Sequence, residues 1–279
     1  MKRIYSIIIL AACIACTQLE NAGYDSLERT VFSAVVENGP DWQEGDMLGL
    51  YGSEKGTNER YVVTKASTGK SDPAEIYGPV VRGSRFMAYF PYDPEYVGGS
   101  ADALPMMLAS SQKYDADMMT QYWNHVPMAA GSLGEDGVFH LVYPLGIFSV
   151  EIELDKQWTV ESMTLESKTK PLSGEVYIKE GGEIAVTYAS SKSVDLDCGE
   201  CGVSIAEAKY YFIVPPGIYP SKDLVLYVQT IEDGQKTIPL AEDVVVRRLE
   251  TTDYKVQSVV LHTSDIPGFT EQDGTITVN

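Results

Sequence analysis

Two cysteines three residues apart, in Cys198-Gly199-Glu200-Cys201, are the pair in this chain best spaced for redox or metal chemistry. A structural zinc needs four ligands, and neither a second cysteine pair nor a histidine stands nearby to complete the set. A thioredoxin-like pair opens a helix in a βαβ context, whereas this one lies between runs rich in β-formers. Cys198 and Cys201 therefore read as a turn whose thiols close a small disulfide or stay free. His125, His140 and His262 stand in unrelated contexts, the last two in or beside predicted strands. The chain has no Gly-x-Ser-x-Gly elbow, His-Glu-x-x-His pair, phosphate loop or dinucleotide glycine fingerprint. Forty acidic residues guarantee chance carboxylate pairs, so pairing alone nominates no glycosidase. The sequence predicts no catalytic residue, no metal and no cofactor. Trp42, Trp123 and Trp158, with 18 tyrosines, are suited to a sugar-binding platform, although tyrosines alternating in strands more often fill a core or cover a sheet.

The other two cysteines belong to a different chemistry. Lys2 and Arg3 precede an uncharged stretch, residues 4–15, with Ile7-Ile8-Ile9-Leu10 at its heart. A permanent bilayer helix needs about 20 apolar residues, so this shorter stretch matches a secretory signal instead. A cysteine directly after small residues marks a lipoprotein signal, in which the thiol takes a diacylglycerol and the peptidase cuts before it. Cys16 is the favoured position because it leaves an apolar region of typical length. Cys13, after Leu10-Ala11-Ala12, is the alternative with the better local spelling.

Residues 1–15 are thus expected to be a signal peptide. Their removal takes away two positive charges and no negative one, moving the formal charge from −19 to −21. So acidic a chain is ill suited to nucleic acid, whose binding depends on clustered Lys and Arg. Anionic membrane surfaces would repel it too. Anchorage to a membrane falls to the lipid, at about 0.8 kcal/mol per buried CH₂.

These features must be carried by strands. Twenty-four glycines, 14 prolines and many Val, Thr and Tyr predict an all-β chain. After a polar tether, residues 17–29, strands are predicted at 30–36, 47–51, 60–64 and 85–90, and a short helix around 114–123. Gly131-Ser-Leu-Gly-Glu-Asp-Gly137 is the expected boundary between an N-terminal domain, residues 16–137, and a C-terminal domain, residues 138–279. Beyond it, Phe148, Val150, Ile152 and Leu154 alternate with Ser149, Glu151, Glu153 and Asp155, the period of a strand with one buried face. Further β-runs follow at 162–167, 174–179, 183–188, 208–214, 224–231 and 255–262. Short strands punctuated by turns favour β-sandwiches over an α/β fold.

The order of several motifs adds a resemblance. Trp42-Gln43-Glu44-Gly45-Asp46-Met47-Leu48-Gly49-Leu50 is followed by Phe86-Met87-Ala88-Tyr89-Phe90-Pro91-Tyr92. Then come Phe139-His140-Leu141, Tyr211-Phe212-Ile213-Val214-Pro215 and a Leu-Val-Leu-Tyr-Val strand leading to Asp233-Gly234. With the lipoprotein signal, this series resembles the fimbrillin family, the subunits of type V pili and their relatives in Gram-negative anaerobes. The resemblance covers most of the chain beyond the signal. It implies two tandem transthyretin-like β-sandwich domains and a lipoprotein precursor carried to the cell surface. It further implies trimming by an arginine-specific protease, which removes the first strand segment and opens a groove for a strand of another fimbrial subunit. Arg29 is the candidate cleavage position, with Arg60, Arg82 and Arg85 as further arginines, and residues 274–279 are a donor strand, an edge strand or a free end. The expected role is a structural or adhesive fimbrial subunit at the outer membrane, with a host or bacterial surface receptor as a further partner. The competing reading is a surface lipoprotein that captures glycans.

Overall fold

The computed structural model describes residues 29–37, 39, 41–66, 72–153, 158–204, 209–232 and 234–248, together with three strands beyond them. The first half holds β1 (Arg29–Glu37), β2 (Met47–Gly52), β3 (Lys55–Lys65), β4 (Ala74–Pro79), β5 (Phe86–Phe90), β6 (Ala103–Leu108) and β7 (Ser111–Lys113). After helix α1 (Met118–His125) come β8 (Ala129–Ser132), β9 (Val138–Val142) and β10 (Gly146–Glu153). The second half holds β11 (Thr159–Ser167), β12 (Ser173–Lys179), β13 (Ile184–Ser191), β14 (Ser193–Asp197), β15 (Val203–Ser204) and β16 (Lys209–Val214). It continues with β17 (Gly217–Tyr219), β18 (Leu224–Thr230), β19 (Gly234–Pro239), β20 (Val244–Val246), β21 (Gln257–His262), β22 (Phe269–Gln272) and β23 (Thr275–Val278). The class is all-β, as the composition predicts.

Seven strands close on themselves in the order β1-β4-β3-β2-β5-β8-β9. The resemblance implies a sandwich here, but β1 pairs on both sides, antiparallel to β4 and parallel to β9, and so closes a barrel. Gly131–Gly137 is not a linker between independent sheets. It contains the turn between β8 and β9, and β9 completes the barrel with Phe139 and Leu141 in its core.

Two cores result. The first fills the barrel around Leu50, Tyr61, Ile76 and Phe139, and extends under the β13-β12-β6 sheet through Leu104, Val176 and Ile178. The second packs Phe148, Val150 and Phe212 against Leu165, Leu196 and Leu226. The sheets behind it run β16-β10-β21 and β19-β18-β11-β14-β7.

β10 belongs to both cores. Phe148, Val150 and Ile152 face the second, while Ile147 joins the first. Ser149, expected on an open face, is fully buried for the same reason. Leu154 and Asp155 lie outside the described residues.

Candidate functional site

If a partner strand enters this protein, it must find an open edge or displace a resident strand, because only unpaired N–H and C=O groups can accept one. β1 lies in the closed barrel between β4 and β9. It is held by side chains as well as by two ladders. Phe32 meets Phe139 edge-on at 5.3 Å, with Phe86 and Tyr61 at 5.7 and 5.9 Å. The Tyr61 hydroxyl donates to Pro79 O at 2.5 Å, and burial pushes its phenol up to about 12. At the other end of β1, Glu37 lies 3.6 Å from His140 Nδ1, whose Nε2 meets Asp136 at 2.9 Å. The two carboxylates occupy opposite nitrogens of one ring, so they clasp the β1–β9 seam and do not converge on a metal. The bond to His140 is the main reason the Asp136 carboxyl is held below its ordinary value.

Arg29 is the first residue of β1. It stands opposite Pro79, with its guanidinium 4.8 Å from the centre of the Tyr77 ring. No Lys or Arg occurs between Thr30 and Glu54. A cut after Arg29 would fall one residue into the described strand, before Thr30–Glu37. The described part of β1 thus lies on the C-terminal side of that bond.

Several sheet edges are also covered. The free edge of β16 is met by two buried glutamines. Gln112 Nε2 donates to Ile213 O at 2.7 Å, its Oε1 accepts Ile213 N–H at 2.9 Å, and Gln121 Nε2 donates to Tyr211 O. One carboxamide thus does what a neighbouring peptide group would do. Along β6, Ser100 N–H donates to Ala103 O at 2.9 Å and the Tyr96 hydroxyl donates to Pro105 O. β13 bulges where Thr187–Ala189 oppose Glu175, and Thr187 Oγ1 accepts the Ala189 N–H at 3.0 Å. β19 carries Lys236 and ends at Pro239, residues that discourage edge pairing. By contrast, among the described residues β22 and β23 pair only with each other.

The remaining candidates fall in separate places. Cys198 and Cys201 are free thiols, Cys198 half-buried and Cys201 exposed. Trp42 packs edge-on against Phe90 in the first core, Trp158 is buried in the second, and Trp123 on α1 is the exposed one. The three tryptophans form no common platform. His125 Nε2 accepts the Lys113 N–H at 3.1 Å, and burial lowers its pKa. Among the described residues no group of three His, Cys, Asp or Glu is placed to hold a metal ion. Cys13, Cys16 and the His262 side chain lie outside the described residues. Sequence reasoning missed Gln112 and Gln121, because a polar residue that caps an edge has no period or motif to mark it.

No family model and no curated protein matches the chain. Solved structures do. A candidate cell adhesion protein from Bacteroides ovatus is similar over 91% of this chain and 96% of its own, at 14% identity and a TM-score of 0.49. A fimbrial protein from Bacteroides vulgatus is similar over 90% and 98%, at 10% identity and 0.45. The tip fimbrial protein Mfa3 from Porphyromonas gingivalis is similar over 90% and 98%, at 8% identity and 0.40. Identities and TM-scores this low do not transfer a role, which has to come from the residues of this chain.

Proposed function

We propose that this chain is a structural or adhesive fimbrial subunit, exported as a lipoprotein to the outer membrane and cell surface. In this reading it joins other subunits by donating a strand rather than by accepting one. The observation that carries the proposal is the closed barrel. β1 fills the position a donor would need, and no Arg or Lys lies where a cut would release that strand alone. The hairpin β22–β23 suits the donor role, since among the described residues it pairs with no other sheet and an isolated hairpin is marginally stable by itself. Thr275–Val278 is uncharged and β-forming, which suits addition to an open edge.

The lipid at Cys16, or at Cys13, holds the subunit at the membrane. Cleavage after Arg29 would free the folded part from that anchor with its barrel intact. The test is an unboiled cell-envelope sample run on SDS gels. SDS-resistant species heavier than the monomer are expected from the full chain and are expected to vanish when residues 269–279 are deleted. Their persistence after that deletion would overturn strand donation through the hairpin.

A further inference from the structure

The Cys198–Cys201 turn has a division of labour that strand exchange does not use. Cys198 follows β14 with its N–H bonded to Glu161 O at 3.1 Å, and its side chain packs against the second core. Tyr114 packs against the same core, its ring centre 5.5 Å from that of Tyr210. The buried Tyr210 hydroxyl has no hydrogen-bond partner among the described residues. Cys201, three residues on, is exposed. The chain reverses at Gly199 (φ +81°), between them, and at Gly202 (φ +63°), directly after Cys201. Gly202 N–H donates to Gly199 O at 3.0 Å and Gly199 N–H to Asp197 Oδ1 at 2.8 Å. One thiol faces solvent and the other faces the core, joined by a glycine-hinged turn.

We propose that this turn is a reversible thiol–disulfide site in which Cys201 is the entering thiol and Cys198 the resolving one. The co-reactant is a disulfide, from a small thiol or from a thiol oxidase. The Cys201 thiolate attacks one sulfur of that disulfide, forms a mixed disulfide and expels the first thiolate. Cys198 then loses its proton to solvent, attacks the Cys201 sulfur and expels the second. Two protein thiols are oxidised by two electrons, and one disulfide is reduced to two thiols. Burial, which pushes the Cys198 thiol up to about 12, makes the second step the slow one. An oxidising compartment for the site rests on the export reading. The thiol chemistry does not, and so it is tested in isolation.

Purified reduced chain is incubated with oxidised glutathione, acid-quenched, alkylated and digested with trypsin. Residues 193–209, between Lys192 and Lys209, then carry both thiols and no other cysteine. The expected result is a transient glutathione adduct on Cys201, followed by a peptide two hydrogens lighter that no longer alkylates. Cys198→Ser should accumulate the Cys201 adduct, while Cys201→Ser should react about tenfold more slowly or worse. Closure of so short a loop should raise Tm by about 4–8 °C. A wild-type peptide that keeps two alkylatable thiols, or equal reaction rates in the two variants, would overturn the proposal whatever the cellular location.

Discussion

Replacing Gln112 tests whether its side chain stands in for a strand at the edge of β16. The carboxamide is 1% exposed and makes both hydrogen bonds to the Ile213 peptide units, at 2.7 and 2.9 Å. Gln112→Ala leaves one buried N–H and one buried C=O without a partner, each costing about 1–3 kcal/mol. Water entering the vacated space recovers part of this. The expected loss is about 2–4 kcal/mol, or about 4–16 °C in Tm at roughly 2–4 °C per kcal/mol. Hydrogen exchange should show the Ile213 amide losing protection before the rest of β16.

Gln112→Glu separates the two bonds. It can accept the Ile213 N–H but, when ionised, places a buried charge against Ile213 O. Its folded pKa should be raised, so it destabilises above the ordinary carboxylate range. Stability should return as pH falls through the folded value and the carboxyl becomes a donor. A loss below about 0.5 kcal/mol for Gln112→Ala, with Ile213 protection unchanged, would refute the edge-cap reasoning.

Phe32→Ala should cost about 2–4 kcal/mol by chemical denaturation, because the ring is partly buried but meets Tyr61, Phe86 and Phe139. Asp117 caps α1, with Oδ1 accepting the Thr120 N–H at 2.7 Å, and that bond is the first cause of its lowered pKa. Its contribution is therefore complete above the ordinary carboxylate value and is lost as pH falls through the lower folded value. Asp117→Ala should reduce Tm at neutral pH and flatten the acid-side melting curve, read by circular dichroism across pH.

The strands were legible where local pattern and burial agree. The Trp42–Asp46 turn is built from its own residues: Gly45 adopts φ +95° and Asp46 Oδ2 accepts the Gln43 N–H at 2.8 Å. Gly49 is required by a neighbour, since a Cβ there would lie 1.9 Å from Tyr89 Cε1. Residues 97–128 looked irregular because β6 contains Pro105, β7 is three residues long and α1 only eight. None is long enough to establish a period. Barrel closure was not legible for a different reason. The parallel pairing of β1 with β9 joins segments about a hundred residues apart, and no local pattern records which strand lies beside which. The consequence for Arg29 followed the same course: its charge and its place before a strand were visible, but that the strand closes the barrel was not.

The account stands on β1 remaining in place when the tether is lost. Amide hydrogen exchange on a chain beginning at Thr30, compared with the full chain, measures this directly. We expect the amides of β1 and β9 to keep their protection and the purified shortened protein, with no other subunit present, to stay monomeric on unboiled SDS gels. Loss of protection along β9, with the appearance of SDS-resistant ladders, would contradict it and restore the barrel as an acceptor groove.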